Sequence, residues 1–399
     1  MREIVLINIT GSDRPGLLAA ITGALAEDGV RILDIAQAVQ HGALALAVVA
    51  CADDATRLAA VRERITAVAG RHAQFTALSE QAYLNWAGAG TSDRHVLTLM
   101  SREITAAQVQ GVTEIANRHG LVVEAIDRLS GRVGLASAAA DGKACLEFLA
   151  RGVPADLGAL RRDFLAAAML LDADIAIQQD DVYRRNRRLA VFDMDSTLIQ
   201  AEVIDELAKA HGVGHLVSEI TERAMRGELD FRASFKERMA LLQGLDVSVL
   251  DAIGASLRLT EGAEVLFAEL KRLGYKTAIL SGGFTYFAKQ VQAKLGIDYV
   301  FANELQVVDG KCTGVAVEPI VDAQRKADLL VQLAEQEGLA LEQTIAVGDG
   351  ANDLPMLAKA GLGVAFRAKP LVKQSARHNI TTLGLDGVLY LLGVRDSQA

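Results

Sequence analysis

The carboxy-terminal half of the chain alternates short, largely apolar runs with longer segments of helical periodicity. The apolar runs lie at residues 189–192, 276–280 and 344–347. Short apolar runs of this kind are typical of buried parallel strands, because helices cover both faces of such a sheet. The pattern therefore predicts an α/β fold with a Rossmann-like parallel sheet in this half.

The amino-terminal half shows another order of elements, which occurs twice. In the first copy, strands and helices are predicted in the order strand 3–9, helix from Pro15 with Leu17, Ile21 and Leu25 inside, strands 30–39 and up to Ala50, helix 55–68, and a strand around Phe75. In the second copy they are strand 95–100, helix 105–118, strands 121–129 and 133–139, and further elements to about Gln178. The repetition predicts two ferredoxin-like βαββαβ units.

Two carboxylates follow the first apolar run directly. Asp193 and Asp195 stand one residue apart, so in an extended chain both side chains point the same way. In open α/β sheets, ligands bind at the carboxyl ends of the strands. The pair could hold a divalent cation and share nucleophilic and acid/base roles, whereas an isolated Asp-x-Asp could also simply cap a turn.

The later segments favour phosphoryl transfer over a simple turn. Ser281-Gly282-Gly283 follows the second apolar run and offers a hydroxyl and unhindered amides, which can surround a phosphate. Lys326 begins a helical pattern and supplies a compact positive charge. The third run leads into the acidic, glycine-rich turn 348–353.

With these motifs, residues 188–395 resemble the haloacid dehalogenase-like phosphatases. The four motifs of that family occur in order as Asp193-x-Asp195-x-Thr197, Ser281, Lys326 and Gly348-Asp349-x-x-x-Asp353. The resemblance implies that Asp193 forms an aspartyl-phosphate and that Asp195 is the acid and base. It also implies phosphoryl binding by Ser281 and Lys326.

The same resemblance implies a Mg²⁺ cofactor. Its ligands would be Asp193, the main-chain carbonyl of Asp195, and Asp349, with Asp353 in support. Gly282 and Asn352, which lie within the motifs, are also predicted to bind the substrate.

Residues 200–262 have helical periodicity and are predicted to form a small cap over the sheet. Within this segment, the spacing of Glu202, Met225, Phe231 and Arg238 resembles that of phosphoserine phosphatases. The resemblance implies that Glu202 and Arg238 bind the ammonium and carboxylate groups of phosphoserine. The alternatives are a solvated helix face for Arg238 and ordinary cap packing for Met225 and Phe231.

Asp13-Arg14-Pro15-Gly16-Leu17 resembles the ACT family of amino-acid-sensing domains. The resemblance implies an effector site at Asp13 and Gly16, where a helix begins. The corresponding loop of the second copy, 101–104, contains neither proline nor glycine. L-serine is the natural effector hypothesis, and pairing of ACT units across a homodimer is expected. A simple turn and helix start is the alternative for Asp13 to Gly16.

Composition sets limits on class and partners. The 399 residues suffice for several domains, which we place at 1–85, 93–180 and 181–399. A net charge of -9 argues against a general nucleic-acid surface, and no apolar run reaches the roughly 20 residues of a membrane span. Cys51, Cys145 and Cys312 form no pairing pattern and are predicted to be reduced thiols in the cytoplasm. The basic stretch 183–188 is interpreted as a charged linker, with an anionic partner as the alternative.

The predicted function is hydrolysis of O-phospho-L-serine, the last step of serine synthesis, by a phosphatase with tandem ACT units. Another phosphomonoester, or transfer of the phosphoryl group to an alcohol, is the nearest alternative. A non-catalytic amino-acid sensor is disfavoured because Asp193, Asp195, Ser281, Lys326 and Asp349 are all present. A P-loop nucleotide hydrolase is excluded because the chain has no G-x-x-x-x-G-K-[ST] motif.

Overall fold

The computed structural model describes residues 2–69, 72–88, 94–132 and 142–396. The chain forms two compact units, Met1–Ser92 and Asp93–Ala399. This division separates the first βαββαβ copy from the rest of the chain, whereas the second copy and the phosphatase half belong to one unit. The domain boundaries expected from the sequence remain predictions.

The first unit is a ferredoxin-like fold. Its elements are β1 (Glu3–Ser12), α1 (Leu17–Glu27), β2 (Arg31–Gln40), β3 (Ala43–Ala52), α2 (Ala55–Ala69), β4 (Ala73–Leu78) and α3 (Glu80–Gly88). The strands form an antiparallel sheet in the order β2-β3-β1-β4. Leu17, Ile21 and Leu25 on α1 are buried against this sheet, as predicted. Helix α3 is an addition that the sequence pattern did not indicate.

The second unit begins with the same topology. Its first elements are β5 (Arg94–Ser101), α4 (Ala106–Arg118), β6 (Val122–Arg128), β7 (Ala144–Arg151), α5 (Leu157–Leu171) and β8 (Asp174–Gln179). These strands form an antiparallel sheet in the order β6-β7-β5-β8. Helix α4 begins after Thr105, whose hydroxyl accepts from the Gln108 N–H in a capping box. The strand predicted at 133–139 lies outside the described residues, and β7 is the strand that pairs with β6.

The phosphatase half follows in the same unit. Its elements are β9 (Leu189–Phe192), α6 (Val203–Ala210), α7 (Gly214–Met225), α8 (Phe231–Leu241), α9 (Val249–Ser256), α10 (Ala263–Arg272), β10 (Lys276–Phe284), α11 (Thr285–Leu295), β11 (Tyr299–Asn303), β12 (Leu305–Val308), β13 (Lys311–Ala316), α12 (Ala323–Gln336), β14 (Thr344–Gly348), α13 (Leu354–Lys359), β15 (Leu362–Phe366), α14 (Pro370–Ser375), β16 (His378–Ile380) and α15 (Gly387–Leu391). Short 3₁₀ helices lie at Leu341–Gln343 and Ala351–Asp353.

A parallel sheet in the order β11-β10-β9-β14-β15-β16 is the core of this half. Strand β9 lies inside the sheet, and all its residues are buried, which explains its continuous apolar sequence. Both faces of the sheet are covered by buried apolar side chains. The α/β fold with two preceding ACT-like units is thus confirmed.

Helices α6 to α9 lie between β9 and β10 and form the predicted helical cap. At the base of the cap, the two connecting segments pair through Ile199 and Leu259. The hairpin of β12 and β13 was not predicted from the sequence. It packs on the cap, where the Cys312 N–H donates to the Leu245 carbonyl over 2.9 Å.

Strand β10 is longer than predicted, since it continues through Ser281, Gly282 and Gly283 to Phe284. Its pairing with β11 shifts between Leu280 and Phe284, so the strand leaves regular register at this point. The serine and glycines therefore occupy an irregular strand end and not a separate turn.

The basic stretch before β9 differs from a solvated linker. Arg184 is fully buried and forms an ion pair with Glu147 on β7. Arg187 is also buried, and its Nη1 donates to the Arg184 carbonyl over 2.7 Å. The segment is a packed junction inside the second unit, so the interpretation as a charged, solvated linker is wrong for these two residues.

The edge strands β8 and β16 meet at this junction. The carboxylate of Asp174 on β8 accepts hydrogen bonds from the Thr381 N–H and the Thr382 N–H, each over 2.8 Å. His378 on β16 contacts the Ile177 carbonyl through Nε2 at 3.2 Å. The second ACT-like copy is thereby held against the edge of the phosphatase sheet.

Two further expectations can be compared with the structure. Cys51, Cys145 and Cys312 are free thiols, as predicted, and all three are buried, which the sequence did not indicate. Within the described ranges, the helices are all too short or too polar to span a lipid bilayer.

Candidate active site

The site lies at the carboxyl ends of β9 and β14, which are neighbours in the parallel sheet. Asp193 directly follows β9, and its N–H donates to the Val347 carbonyl on β14 over 2.9 Å. Asp349 directly follows β14, and Asp353 lies on the next 3₁₀ turn. Carboxylate oxygens of Asp193, Asp349 and Asp353 lie within 4.8 Å of one another. The fold thus brings together acidic residues that are far apart in sequence.

Lys326 is the cation at the centre of this cluster. Its side chain is fully buried, and Nζ lies 2.8 Å from Asp193 Oδ1 and 2.7 Å from Asp353 Oδ1. Burial alone would lower the pKa of Lys326, but the charges of Asp193 and Asp353 outweigh burial and raise it above the ordinary value. Lys326 therefore stays protonated, and the buried charges compensate each other in part.

The cluster contains three carboxylates but only one cation, Lys326, so negative charge remains uncompensated. Burial, followed by the charge of Asp353, raises the pKa of Asp193 well above its usual range. Burial, then the charges of Asp353 and Glu202, raise the pKa of Asp349 to about 6. Converging carboxylate oxygens with uncompensated negative charge suit a hard divalent cation. The residues present therefore fit a metal ion of this class.

Asp353 is the least available of the three as a metal ligand. Its Oδ1 contacts Lys326, and its Oδ2 accepts from the Gly350 N–H over 2.9 Å. These contacts agree with a supporting position. Thr197 links the two loops of the site, since its Oγ1 donates to Asp349 Oδ1 over 3.2 Å.

Asp195 lies between the core and the cap. Its Oδ1 accepts from the Val203 N–H at the start of α6 over 3.3 Å. A side chain at Gly283 would place Cβ 2.5 Å from Asp195 Oδ2, so the absence of a side chain there lets β10 approach the carboxylate. Burial, followed by the charge of Glu202, raises the pKa of Asp195 to about 8. The carboxyl group can therefore carry a proton at neutral pH, as a general acid requires.

The end of β10 carries the groups that were predicted to bind phosphate. Ser281 is buried, and its Oγ accepts from the Gly283 N–H over 2.9 Å. The Gly282 carbonyl accepts from Asn303 Nδ2 over 2.8 Å, and Asn303 Oδ1 accepts from the Val321 N–H over 2.7 Å. The buried amide of Asn303 thus holds the Ser-Gly-Gly segment in place. Asn352 lies beside Asp353 on the 3₁₀ turn.

The residues that were predicted to recognise the substrate lie on the cap or directly before it. Glu202 precedes α6 and accepts from Ser196 Oγ over 2.9 Å. Phe231 begins α8, and its ring would lie 3.0 Å from a Cβ at Gly282, so it covers the end of β10. Met225 lies on α7, but its side chain is outside the described part of the structure.

Arg238 lies on α8 with its guanidinium half-buried. Burial lowers the pKa of Arg238, although the charges of Glu202, Asp205 and Asp195 act in the opposite direction. Within the described residues it forms no ion pair, and its one hydrogen bond is a 3.4 Å contact to the Ser234 carbonyl. A half-buried guanidinium that faces the site without a carboxylate partner does not fit the solvated-face alternative.

The comparisons with known proteins agree with this geometry. Residues 188–361 match the haloacid dehalogenase-like hydrolase family, and residues 3–77 match the ACT domain family. The phosphoserine phosphatase of Streptomyces coelicolor is 39% identical to this chain over 395 residues, which span 98% of this chain and 92% of that protein. This chain belongs to the phosphoserine phosphatase family.

A second phosphoserine phosphatase shows similar coverage, and two solved structures match three quarters of this chain. The Mycobacterium tuberculosis protein is 38% identical over 391 residues, which span 98% of this chain and 93% of that protein. Among solved structures, a probable phosphoserine phosphatase from Vibrio cholerae superposes with a TM-score of 0.59 at 37% identity, over 75% of this chain and 86% of that one. A haloacid dehalogenase family hydrolase from Salmonella enterica superposes with a TM-score of 0.64 at 32% identity, over 75% of this chain and 98% of that one.

Two residues of this phosphoserine phosphatase family site were not singled out from the sequence. Asn303 holds Gly282, and its only signal was a polar residue at the end of an apolar strand. Gly283 stood in the Ser-Gly-Gly run, but its closeness to Asp195 is a property of the folded chain. Asp13 and Gly16, the predicted effector residues, lie in the first unit and not in this site.

Proposed function

We propose that this chain hydrolyses O-phospho-L-serine to L-serine and phosphate, as the last step of serine synthesis, through an aspartyl-phosphate on Asp193. The observation that carries this proposal is the pairing of Asp193 with the buried ammonium of Lys326, beside a carboxyl group, Asp195, whose pKa is raised to about 8. This arrangement offers a nucleophile, a charge that stabilises the phosphoryl group, and a protonated acid at one site.

In the first step, a carboxylate oxygen of Asp193 attacks phosphorus, and the ester P–O bond breaks. The contacts of Asp193 with Lys326 and with the Met194 N–H both involve Oδ1, so Oδ2 has no hydrogen bond within the described residues and is available for attack. The proton of Asp195 passes to the departing serine oxygen. Lys326 and Ser281 bind the phosphoryl oxygens as negative charge develops.

In the second step, water attacks phosphorus and Asp195, now ionised, accepts its proton. The acyl-phosphate O–P bond breaks, which releases phosphate and restores the Asp193 carboxylate. The hydrogen bond from the Val203 N–H holds Asp195 in place for both steps. The same group can therefore serve first as acid and then as base.

Asp193 and Asp349 would hold Mg²⁺ together with the main-chain carbonyl of Asp195, and Asp353 would support them. When bound, Mg²⁺ would supply positive charge against the phosphoryl oxygens and orient the phosphate. The carboxylates have their own part in this chemistry, since the repulsion among them is relieved when a cation binds between them.

Serine recognition is assigned to the cap. Arg238 can bind a carboxylate through two parallel hydrogen bonds, and Glu202 can pair with an ammonium group. Phe231, stacked on Phe235 with ring centroids 6.2 Å apart, would shield the reacting groups from water. Met225 is proposed to have the same role.

The test is magnesium-dependent phosphate release from L-phosphoserine, compared through kcat/KM with phosphothreonine and an aryl phosphate. We expect a strong preference for phosphoserine, because the simpler esters lack the amino and carboxylate groups that Glu202 and Arg238 would bind. Similar or better activity on the other esters would refute the substrate assignment. Transfer of the phosphoryl group to an added alcohol, in place of hydrolysis, would instead indicate a phosphotransferase.

Feedback by L-serine is the proposed role of the ACT region. Gly16 precedes α1 in the left-handed conformation, with a φ of 83°. Nearby, a cavity of about 320 Å³ is lined by residues that include Gly11, Ser12 and Arg14. In the second unit, Arg102 lies on the loop that corresponds to the effector loop and pairs with Glu261, next to the cap, with Nη1 and Oε1 2.7 Å apart.

Titration of the full-length chain with L-serine tests this regulation. We expect calorimetric binding together with a change in turnover, and both should weaken in an Asp13→Ala variant, which removes a predicted effector contact. Absence of binding and unchanged turnover would refute the hypothesis.

A homodimer formed through ACT sheet edges also remains a prediction. Strand β2 is such an edge, and it exposes Ile32, Ile35 and Val39. Sedimentation equilibrium that shows only a monomer would contradict the predicted homodimer.

A further inference from the structure

A second polar cavity lies in the second unit, where α5 and β8 meet the segment around α14 and β16. Its volume is about 510 Å³, which is in the range of sites for small organic ligands. Its walls include Arg161, Phe164 and Ile177 on one side and Lys373, Arg377 and Asn379 from the segment around α14 and β16. None of the residues assigned to catalysis or serine recognition lines this cavity.

The cavity is rich in positive charge. Arg161 and Arg162 approach from α5, and Lys373 and Arg377 approach from the opposite wall. Two carboxylates, Asp172 and Asp174, also line it. The charges of these side chains therefore leave an excess of positive charge.

Asp174 is already engaged and does not neutralise the arginines. Its Oδ2 accepts from the Thr381 and Thr382 N–H groups and from Thr382 Oγ1, the last over 2.7 Å. The hydrogen bonds of this carboxylate thus hold the two walls together. Arg162 pairs with Asp156 at 3.7 Å, so the charges left to face the solvent or a ligand are those of Arg161, Lys373 and Arg377.

Arg161 and Arg377 are like charges without partners. Within the described ranges, neither forms an ion pair or a hydrogen bond, and Arg161 Nε is buried with no acceptor. Burial, followed by the charge of Arg377, lowers the pKa of Arg161. Arg161 is half-buried and Arg377 is exposed, and each positive charge disfavours the other. This arrangement is explained if an anion occupies the space between them.

The remaining polar groups indicate what else the ligand carries. Asn379 Nδ2 donates to the Lys373 carbonyl over 3.1 Å, whereas Asn379 Oδ1 is buried and accepts no hydrogen bond. A ligand with a hydroxyl group could donate to this oxygen. The cavity also has apolar lining from Phe164 and Ile177, which a lone inorganic ion would not contact.

We propose that this cavity binds a small, hydroxyl-bearing phosphomonoester, with its phosphate between Arg161 and Arg377 and its hydroxyl on Asn379. Arginine suits this ligand because its planar fork binds phosphate through two parallel hydrogen bonds. The occupant would connect α5 of the second ACT-like copy to the segment after α14. Binding would therefore stabilise the junction between this copy and the phosphatase sheet.

The test uses the full-length chain and glycerol 3-phosphate as the probe, in metal-free buffer, by calorimetry and thermal denaturation. The variant is the double substitution Arg161→Gln with Arg377→Gln. We expect a binding site in the wild-type chain that weakens about 10-fold or more in the variant, because charge-assisted hydrogen bonds are lost. The probe should raise the melting temperature of the wild-type chain and not that of the variant.

A matched control removes the same charge elsewhere. Lys289→Gln with Lys294→Gln neutralises two exposed residues on α11 and should leave probe binding intact. Without probe, the arginine double variant should be at least as stable as the wild-type chain, since like-charge repulsion is removed. Its kcat/KM for phosphoserine should be unchanged, because neither arginine belongs to the proposed active site.

Three results would overturn the proposal. The first is unchanged probe binding in the arginine double variant. The second is equal loss of binding in the lysine control, which would indicate a bulk charge effect. The third is an affinity for inorganic phosphate as high as that for glycerol 3-phosphate. This result would show that the site recognises neither the ester nor its hydroxyl group. None of these results depends on hydrolysis of phosphoserine, so the proposed function is tested separately.

Discussion

Asp193→Asn is expected to lower kcat for phosphoserine by about four orders of magnitude or more, because an amide oxygen is a poor nucleophile and cannot form the aspartyl-phosphate. The fold should persist. Asparagine retains an Oδ1 that can accept the 2.7 Å hydrogen bond from the Met194 N–H, and Lys326 keeps its contact with Asp353 at 2.7 Å. The measurement is magnesium-dependent phosphate release together with the thermal midpoint of the same preparation.

The matched control for this prediction is Asp328→Asn on the exposed face of α12, which makes the same chemical change away from the site. It should retain wild-type turnover. Acid-quenched wild-type enzyme should carry a phosphoryl group during turnover, and the Asp193 variant should carry none. A folded Asp193→Asn chain that releases phosphate at a substantial fraction of the wild-type rate would remove Asp193 as the nucleophile.

Arg238→Ala is expected to raise KM for phosphoserine by roughly 10- to 150-fold, since a hydrogen bond to a charged group contributes about 1.5 to 3 kcal/mol. The effect should be mainly on KM, because the guanidinium is assigned to the substrate carboxylate and not to phosphorus. Hydrolysis of an aryl phosphate, which has no such carboxylate, should change little. The measurement is the ratio of kcat/KM values for the two substrates in the variant and in the wild-type chain.

Lys236→Ala provides the control on the same helix. Lys236 is an exposed residue of α8, and its Nζ lies 3.7 Å from Glu318 Oε1. Its removal should leave the preference for phosphoserine unchanged. If Arg238→Ala also leaves this preference unchanged, Arg238 does not read the substrate carboxylate, and the cap must recognise serine by other groups.

Much of this architecture follows from local patterns in the sequence. The apolar runs correspond to β9, β10 and β14 because a strand covered on both faces has to be apolar on both faces. The βαββαβ order of the first unit follows from its alternation and turn residues. The acidic residues of the site could also be predicted from the sequence, since motif residues that directly follow parallel strands converge at one edge of the sheet.

The errors arose where long-range contacts oppose a local preference. Arg184 and Arg187 occur in a strongly basic stretch, which by itself indicates a solvated segment. In the folded chain, Glu147 on β7 and the Gln178 side chain on β8 provide them with polar partners, so they are buried. Strand β10 continues past Leu280 because Phe284 still pairs with Asn303 at the end of β11.

The sequence by itself determined the strands that carry the motifs, the motif residues and the chemical class of the site, but not α3 or the hairpin of β12 and β13. These depend on periodicity, turn chemistry and the order of side chains along the chain. Only the tertiary structure decided that Lys326 bridges Asp193 and Asp353, that Asn303 holds Gly282, and that Arg161 faces Arg377 across a cavity. These contacts join residues from separate segments, and their energies depend on burial and distance, which no local pattern specifies.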